Sequence, residues 1–145
     1  MSVITRLARP PDLATLGELD KHVVAEHLAV LVSAGRVLVA EVDGAVVGCP
    51  RWGLFWDEVP FMNLLWVLPD WRGAKVGRTL VDAWETCQSA PGHKLVLTST
   101  VSAETAQHFY RKLGYVDRGA LLLPEEPAEL ILRKHLRPVT ARLGT

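Results

Sequence analysis

The chain is predicted to adopt an α/β fold of the α+β kind, with about seven strands and about four helices. Three observations carry this expectation. Short β-rich runs alternate with stretches in which apolar residues recur at helical spacing. Asp43-Gly44 joins two of those runs as a tight hairpin. A nearly continuous apolar run, Phe61 to Val67, leads through a glycine-bearing loop into an amphipathic helix. With 145 residues and 49% hydrophobic content, one domain over residues 1–136 can bury its own core, leaving 137–145 as a loosely held tail.

Val3 to Leu7 reads as a first strand that stops at Pro10-Pro11. Pro11 and Asp12 suit the first turn of a helix, since proline lacks the N–H and aspartate favours the positive end. Leu13, Leu16 and Leu19 give that helix its apolar stripe, and a second helix from about Lys21 to Ala34 ends at Gly35. Arg36 to Val42 and Ala45 to Cys49 form the hairpin, the second strand resuming from Arg51 to Trp56, with Pro50 expected at a bulge or an edge because it cannot donate to a ladder. After a turn at Asp57 to Pro60, the run Phe61 to Val67 predicts a strand buried on both faces. A helix follows from Arg78 to about Ala90, with Leu80, Val81, Trp84 and Cys87 on its apolar side, and Pro91-Gly92 ends it. Lys94 to Thr98 is the next strand. Ser102 is expected to cap a helix whose apolar positions are Ala103, Ala106, Phe109, Tyr110 and Leu113, stopped by Gly114. Tyr115 to Leu123 and Glu129 to Lys134 complete the strands.

Charge and cysteine usage exclude several function classes. Lysine plus arginine equals aspartate plus glutamate at 16 each, so no net field draws the chain to nucleic acid or an anionic membrane. Cys49 and Cys87 have neither zinc-site spacing nor the density of a disulfide scaffold, and read as small packing residues. The amino terminus carries no apolar run of signal-peptide kind, and no stretch has the length of a membrane span. A soluble, cytoplasmic protein is expected, with no metal.

The segment Leu64 to Glu85 carries the chemistry, placing a cationic, glycine-bearing turn between a strand and a helix N-terminus. The first N–H groups of a helix lack intrahelical partners, and with the macrodipole they favour a phosphate where small residues let it approach. Gly73, Ala74 and Gly77 leave that room, and Arg72, Lys75 and Arg78 add positive charge. The spacing is not that of a P-loop, since Gly73 and Gly77 enclose three residues and are followed by Arg78-Thr79. It is not a dinucleotide fingerprint in an early βαβ unit either.

The run V-L-P-D-W-R-G-A-K-V-G-R-T-L resembles the acetyl-CoA loop of the GNAT superfamily, usually written V-x-P-x-x-R/Q-G-x-G-x-G/A-x-x-L. Val67, Pro69, Arg72, Gly73, Gly77 and Leu80 match, and Lys75 stands where the family commonly has glycine. Ala106 to Tyr115, A-Q-H-F-Y-R-K-L-G-Y, is similar to the family's A-x-x-F-Y-x-x-x-G-F/Y segment. The resemblance implies the GNAT fold, a central, twisted, mixed and mostly antiparallel sheet flanked by helices. It also implies an N-acetyltransferase that moves the acetyl group of acetyl-CoA to a primary amine by direct attack in a ternary complex.

By position, the resemblance assigns the main chain of Leu65, Trp66 and Val67 to the pantetheine arm and the thioester carbonyl. The turn Arg72, Gly73, Ala74, Lys75, Val76, Gly77 and Arg78 takes the diphosphate. Tyr110 matches the family tyrosine that gives a proton to the departing thiolate. Asn63 falls on the strand where many relatives carry an acidic base, and an amide can orient a water but not take the proton. Glu26, Glu58, His22 and His27 stay open as bases, and Ala103 stands where the family often has asparagine. Trp52, Leu54 and Trp56 alternate onto one strand face, and with Trp66 they line either an acceptor pocket or the core. His108 reads as a surface residue, since helix neighbours do not share a face with Tyr110.

A module that binds CoA as a sensor or assembly partner without efficient catalysis is the alternative. A nucleotide-phosphate binder of another kind is disfavoured by the loop spacing. The acceptor, a small molecule or a peptide amine, is not legible, and homodimers are common in the family.

Overall fold

In the computed structural model, which describes residues 2–73 and 75–138, the chain alternates strands and helices in the expected order. The elements are β1 (Ile4–Leu7), α1 (Leu13–Leu19), α2 (Ala25–Ser33), β2 (Leu38–Val42), β3 (Ala45–Phe55) and β4 (Val59–Val67). They continue with α3 (Val76–Ser89), β5 (Leu95–Val101), α4 (Ala106–Lys112), β6 (Val116–Leu121) and β7 (Glu129–His135). The strands form one seven-stranded sheet in the order β1-β2-β3-β4-β5-β7-β6. Strand β4 runs parallel to β5, while β1 with β2, β2 with β3, β5 with β7 and β6 with β7 are antiparallel. The sheet is therefore mixed and mostly antiparallel.

The chain divides into two compact units, one built from the residues up to Gly53 with Leu64–Trp84, the other from Leu54–Asn63 and the residues from Glu85 on. In the first, Leu16 of α1 and Leu28, Leu31 and Val32 of α2 close over Val37, Val39 and Cys49, with Leu64 packed against them. Burying a leucine of this kind contributes roughly 1.5–3 kcal/mol, which sets the face each helix must present. A second cluster joins Ala40, Val42 and Val47 to Val76 and Leu80 of α3, with Leu65, Val67 and Trp71 at its margin. Helix α1 follows directly on a 3-10 turn, Pro10–Asp12, in which the Asp12 carboxylate accepts the Arg9 N–H at 2.7 Å and the Arg6 guanidinium at 2.8 and 2.9 Å. Its end is fixed by Asp20, which is buried and takes the Arg51 guanidinium and the His22 N–H.

In the second unit, β5 and β7 pair from Leu95 with His135 to Val101 with Glu129. Val96, Thr98 and Leu132 are buried along that ladder. Helix α4 ends at Gly114, whose φ of 98° lets Tyr115 donate its N–H to the Tyr110 carbonyl at 3.1 Å. The chain reversal sets the two tyrosine rings edge to face, 5.6 Å apart. Tyr115 then donates to Glu85 at 2.8 Å, and the other oxygen of that carboxylate accepts from Lys134 at 2.9 Å.

Four local expectations are corrected. Pro50 lies at neither an edge nor the bulge: β3 is an internal strand, the register shift falls at Ala40/Glu41, and the pairing steps over Pro50 from Ala40–Gly48 to the Val37–Arg51 bridge. Thr105, not Ser102, precedes the first residue of α4, because Ser102 lies in a separate turn closed by the Glu104 N–H on the Val101 carbonyl, and the helix starts only after it. Ala103 is thus an exposed turn residue rather than part of the helix's apolar face. Strand β4 is not buried on both faces, since Asn63 is exposed and Leu64 to Val67 are half-buried.

Candidate functional site

The end of β4 is shaped by what its alternating side chains meet. Leu65 and Val67 pack toward Val76 and Leu80 of α3, and Leu64 packs with the α1–α2 cluster on the other face. Trp66 shares the parity of Leu64, and its cover is a charged group: the Arg72 guanidinium lies 4.6 Å from the indole centroid. Arg72 is held there because its Nε donates to the Val67 carbonyl at 2.9 Å. Gly48 of β3 completes the arrangement. A Cβ on it would meet the Trp66 carbonyl at 2.9 Å, Leu80 Cδ1 at 3.1 Å and Val67 Cγ2 at 3.3 Å, so only glycine lets β3 lie this close to the main chain of Trp66. Leu68 is tied to β3 through its N–H, which donates to the Val47 carbonyl at 2.9 Å.

Beyond β4, Pro69–Trp71 forms one turn of 3-10 helix and the chain reverses into α3. Two left-handed residues make this reversal, Gly73 with φ 81° and Lys75 with φ 66°. The second sits where the resemblance expects glycine, so Lys75 adopts the glycine conformation although its Cβ makes that costly. Ala74 lies outside the described residues. Thr79 donates both its N–H, at 3.0 Å, and its hydroxyl, at 2.9 Å, to the Lys75 carbonyl, which fixes α3 to begin at Val76. Val76 and Leu80 are fully buried and anchor the helix, while Lys75 and Arg78 stay exposed. The N–H groups of Val76, Gly77 and Arg78 belong to the first turn, where an α-helix offers no internal acceptor. In general, a helix start with unpaired N–H groups, a dipole and exposed cations beside it is an environment that favours an anion.

In the second unit, Tyr110 projects from α4 with only 6% of its surface exposed. Its hydroxyl lies 4.0 Å from Met62 Sδ, and its ring packs edge-on against Phe109. Thr98 of β5 faces Met62 in the parallel register and donates its hydroxyl to the Met62 carbonyl at 3.1 Å. Burial pushes the phenol up to about 12, with the Thr98 hydroxyl pulling it the other way. Tyr110 is therefore a protonated acid throughout the neutral range.

The other candidates are placed as follows. His22, Glu26 and His27 are exposed at and beside the start of α2, in the first unit. Glu58 precedes β4 and lines a cavity of about 490 Å³ in the second unit, with Asp57, Pro60, His93 and Leu95. Trp52 is buried and meets the Trp84 ring edge to face at 6.3 Å, so it is a core residue. Trp56 is not on the Trp52 face at all: β3 ends at Phe55, and Trp56 stands in the turn with φ 56°, 78% exposed. His108 is exposed. Burial pushes the Cys49 thiol up to about 12 and raises Cys87, which suits packing rather than nucleophilic chemistry. Gly48 and Thr98 were not singled out from sequence. A glycine inside a β-rich run was the available signal for the first; a threonine in a strand is too ordinary to mark the second.

Known proteins share this fold. A family model described as an acetyltransferase (GNAT) domain matches residues 33–117, more than half of the chain. The chain is 35% identical over 107 residues to an IAA acetyltransferase of Azospirillum brasilense, covering 70% of this chain and 68% of that protein. Among solved structures, Ard1 from Thermoplasma volcanium superposes with a TM-score of 0.84 at 18% identity, over 94% of this chain and 99% of that one. N-acetylglutamate synthase from Neisseria gonorrhoeae, complexed with coenzyme A and N-acetyl-glutamate, superposes with a TM-score of 0.81 at 17% identity, over 94% of this chain and 36% of that one.

Proposed function

The chain belongs to the GNAT acetyltransferases, and on that premise we propose that it transfers an acetyl group from acetyl-CoA to a primary amine by direct attack in a ternary complex. The observation that carries this reading is the left-handed turn at Gly73 and Lys75 that opens onto the first N–H groups of α3. A diphosphate fits such a turn, because main-chain donors meet it without crossing a side chain. The Neisseria relative, which holds coenzyme A, supports the same coenzyme here.

In this reading the diphosphate lies on the N–H groups from Gly73 to Arg78, with Lys75 and Arg78 adding charge. The main chain of Leu65 to Val67 aligns the pantetheine arm, and a fixed N–H there stabilises negative charge on the thioester oxygen as the amine adds. The amine loses its proton to solvent through a water that Asn63 orients. As the C–S bond breaks, its electron pair passes to sulfur, and sulfur takes the Tyr110 phenol proton. The phenolate regains a proton from water.

A CoA-binding module without efficient turnover is the second reading, favoured by Lys75 in place of glycine and by Asn63 in place of a carboxylate. Screening primary amines with acetyl-CoA while following free thiol separates the two. Amine-dependent thiol release that Tyr110→Phe suppresses, with CoA affinity retained, supports the enzyme. Tight CoA binding with no amine releasing thiol would sink it.

A further inference from the structure

Resting on the reading of Tyr110 as the acid, we propose that Thr98 is a positioning residue that turns its hydroxyl to donate a hydrogen bond to the Tyr110 phenolate once the proton has gone. Thr98 is 1% exposed, yet it carries a hydroxyl into the core of its unit. That hydroxyl and the Tyr110 hydroxyl converge on one residue: Thr98 Oγ1 donates to the Met62 carbonyl at 3.1 Å, and Tyr110 Oη approaches Met62 Sδ at 4.0 Å. The parallel pairing of Met62 with Thr98 sets this meeting, because it puts the two residues side by side on adjacent strands.

A hydroxyl has one proton and two lone pairs. Before the transfer the Thr98 proton goes to the Met62 carbonyl, and the Tyr110 hydroxyl faces the Met62 thioether. When the phenol O–H bond breaks and its proton goes to sulfur, the electron pair stays on a buried oxygen. An unpaired buried anion is costly. The Met62 thioether has no proton to give. Rotation of the Thr98 O–H toward the phenolate supplies the missing donor, consistent with its pull on the phenol toward ionisation.

The test compares Thr98→Val, which keeps the shape and removes the hydroxyl, with Thr98→Ser, which keeps the hydroxyl, each alone and with Tyr110→Phe. The readouts are kcat and KM for acetyl-CoA with a productive amine, across pH. Thr98→Val is expected to lower kcat about 10-fold, the effect of one hydrogen bond to a charged group, with KM for acetyl-CoA unchanged. Thr98→Ser should recover most of the rate, and Thr98→Val should add no further loss to Tyr110→Phe. Full kcat in Thr98→Val beside a slow Tyr110→Phe overturns the proposal and leaves the Tyr110 reading intact. So does an equal loss with and without Tyr110. If Tyr110→Phe turns over normally, the acid reading fails and this proposal falls with it.

Discussion

The glycine turn of the first unit and the buried tyrosine of the second are built on opposite principles. The turn offers main-chain donors, and its side chains matter mainly for whether they permit the backbone path: Gly73 and Lys75 at positive φ, Gly48 without a Cβ in the way. The second region offers one side-chain atom, the Tyr110 oxygen, whose properties are set by what surrounds it, chiefly burial and the Thr98 hydroxyl. The first region thus depends on the backbone path of many residues, the second on the surroundings of a single buried group. Substitutions should separate them by kind of effect as well as by size.

The largest effect expected is on turnover. Tyr110→Phe should lower kcat by roughly 100-fold or more, the scale of general acid catalysis, with the CoA dissociation constant unchanged by calorimetry. Because burial holds the phenol up to about 12, its acid form persists below that value. The wild-type rate should therefore show no alkaline loss from tyrosine ionisation below about pH 10. A Tyr110→Phe enzyme that lost CoA affinity instead would make the tyrosine part of the binding surface and erase the contrast.

Gly48→Ala should come next, and through the backbone. A Cβ 2.9 Å from the Trp66 carbonyl must push two strands apart, at a cost of about 1–3 kcal/mol, the range for overpacking. Lower thermal stability together with weaker CoA binding is expected. Unchanged CoA affinity would show that the strand end is not the ligand's rail.

Smaller still is the response at Lys75. Lys75→Gly exchanges an exposed charge for a residue at ease with φ 66°, so CoA affinity should stay within about 5-fold at physiological salt, where exposed charges are screened. Lys75→Val, β-branched at the same φ, should weaken binding more. If the valine variant bound as well as glycine, the backbone account of the turn would be wrong.

The smallest effect concerns acid stability in the first unit, away from the turn. Hydrogen bonds from Arg6 hold the Asp12 carboxyl at about 2, below its usual 3.8. A depressed folded value means stability that is full above the unfolded value and lost as pH falls from about 4 toward 2. Asp12→Asn should flatten the melting temperature over that interval and leave turnover at neutral pH unaltered. A melting curve equally acid-sensitive in the variant would show that other carboxylates set the response.

Legibility followed the range of the interaction. The Asp43-Gly44 hairpin, the stops at Gly35 and Gly114 and the helical spacing of Leu80, Val81 and Trp84 are local, and each element appears where expected within a few residues. The cationic turn was legible for the same reason: glycine, charge and helix start are adjacent in the chain. Ser102 misled because it sits in a turn of its own, closed by the Glu104 N–H on the Val101 carbonyl, before α4 begins. Trp56 misled because alternation was carried one residue past the end of β3. The half-burial of β4 escaped because Trp66 is covered by an arginine folding back from the loop rather than by an apolar neighbour.

By itself the sequence determined the order of elements and the glycine-bearing cationic turn between β4 and α3, since backbone freedom, charge and periodicity are properties of neighbouring residues. Tertiary structure alone decided that Gly48 must lack a side chain, that Arg72 rests on Trp66, and that Thr98 and Tyr110 meet at Met62. Those facts depend on strand register and helix docking, which bring together residues that no spacing rule along the chain connects.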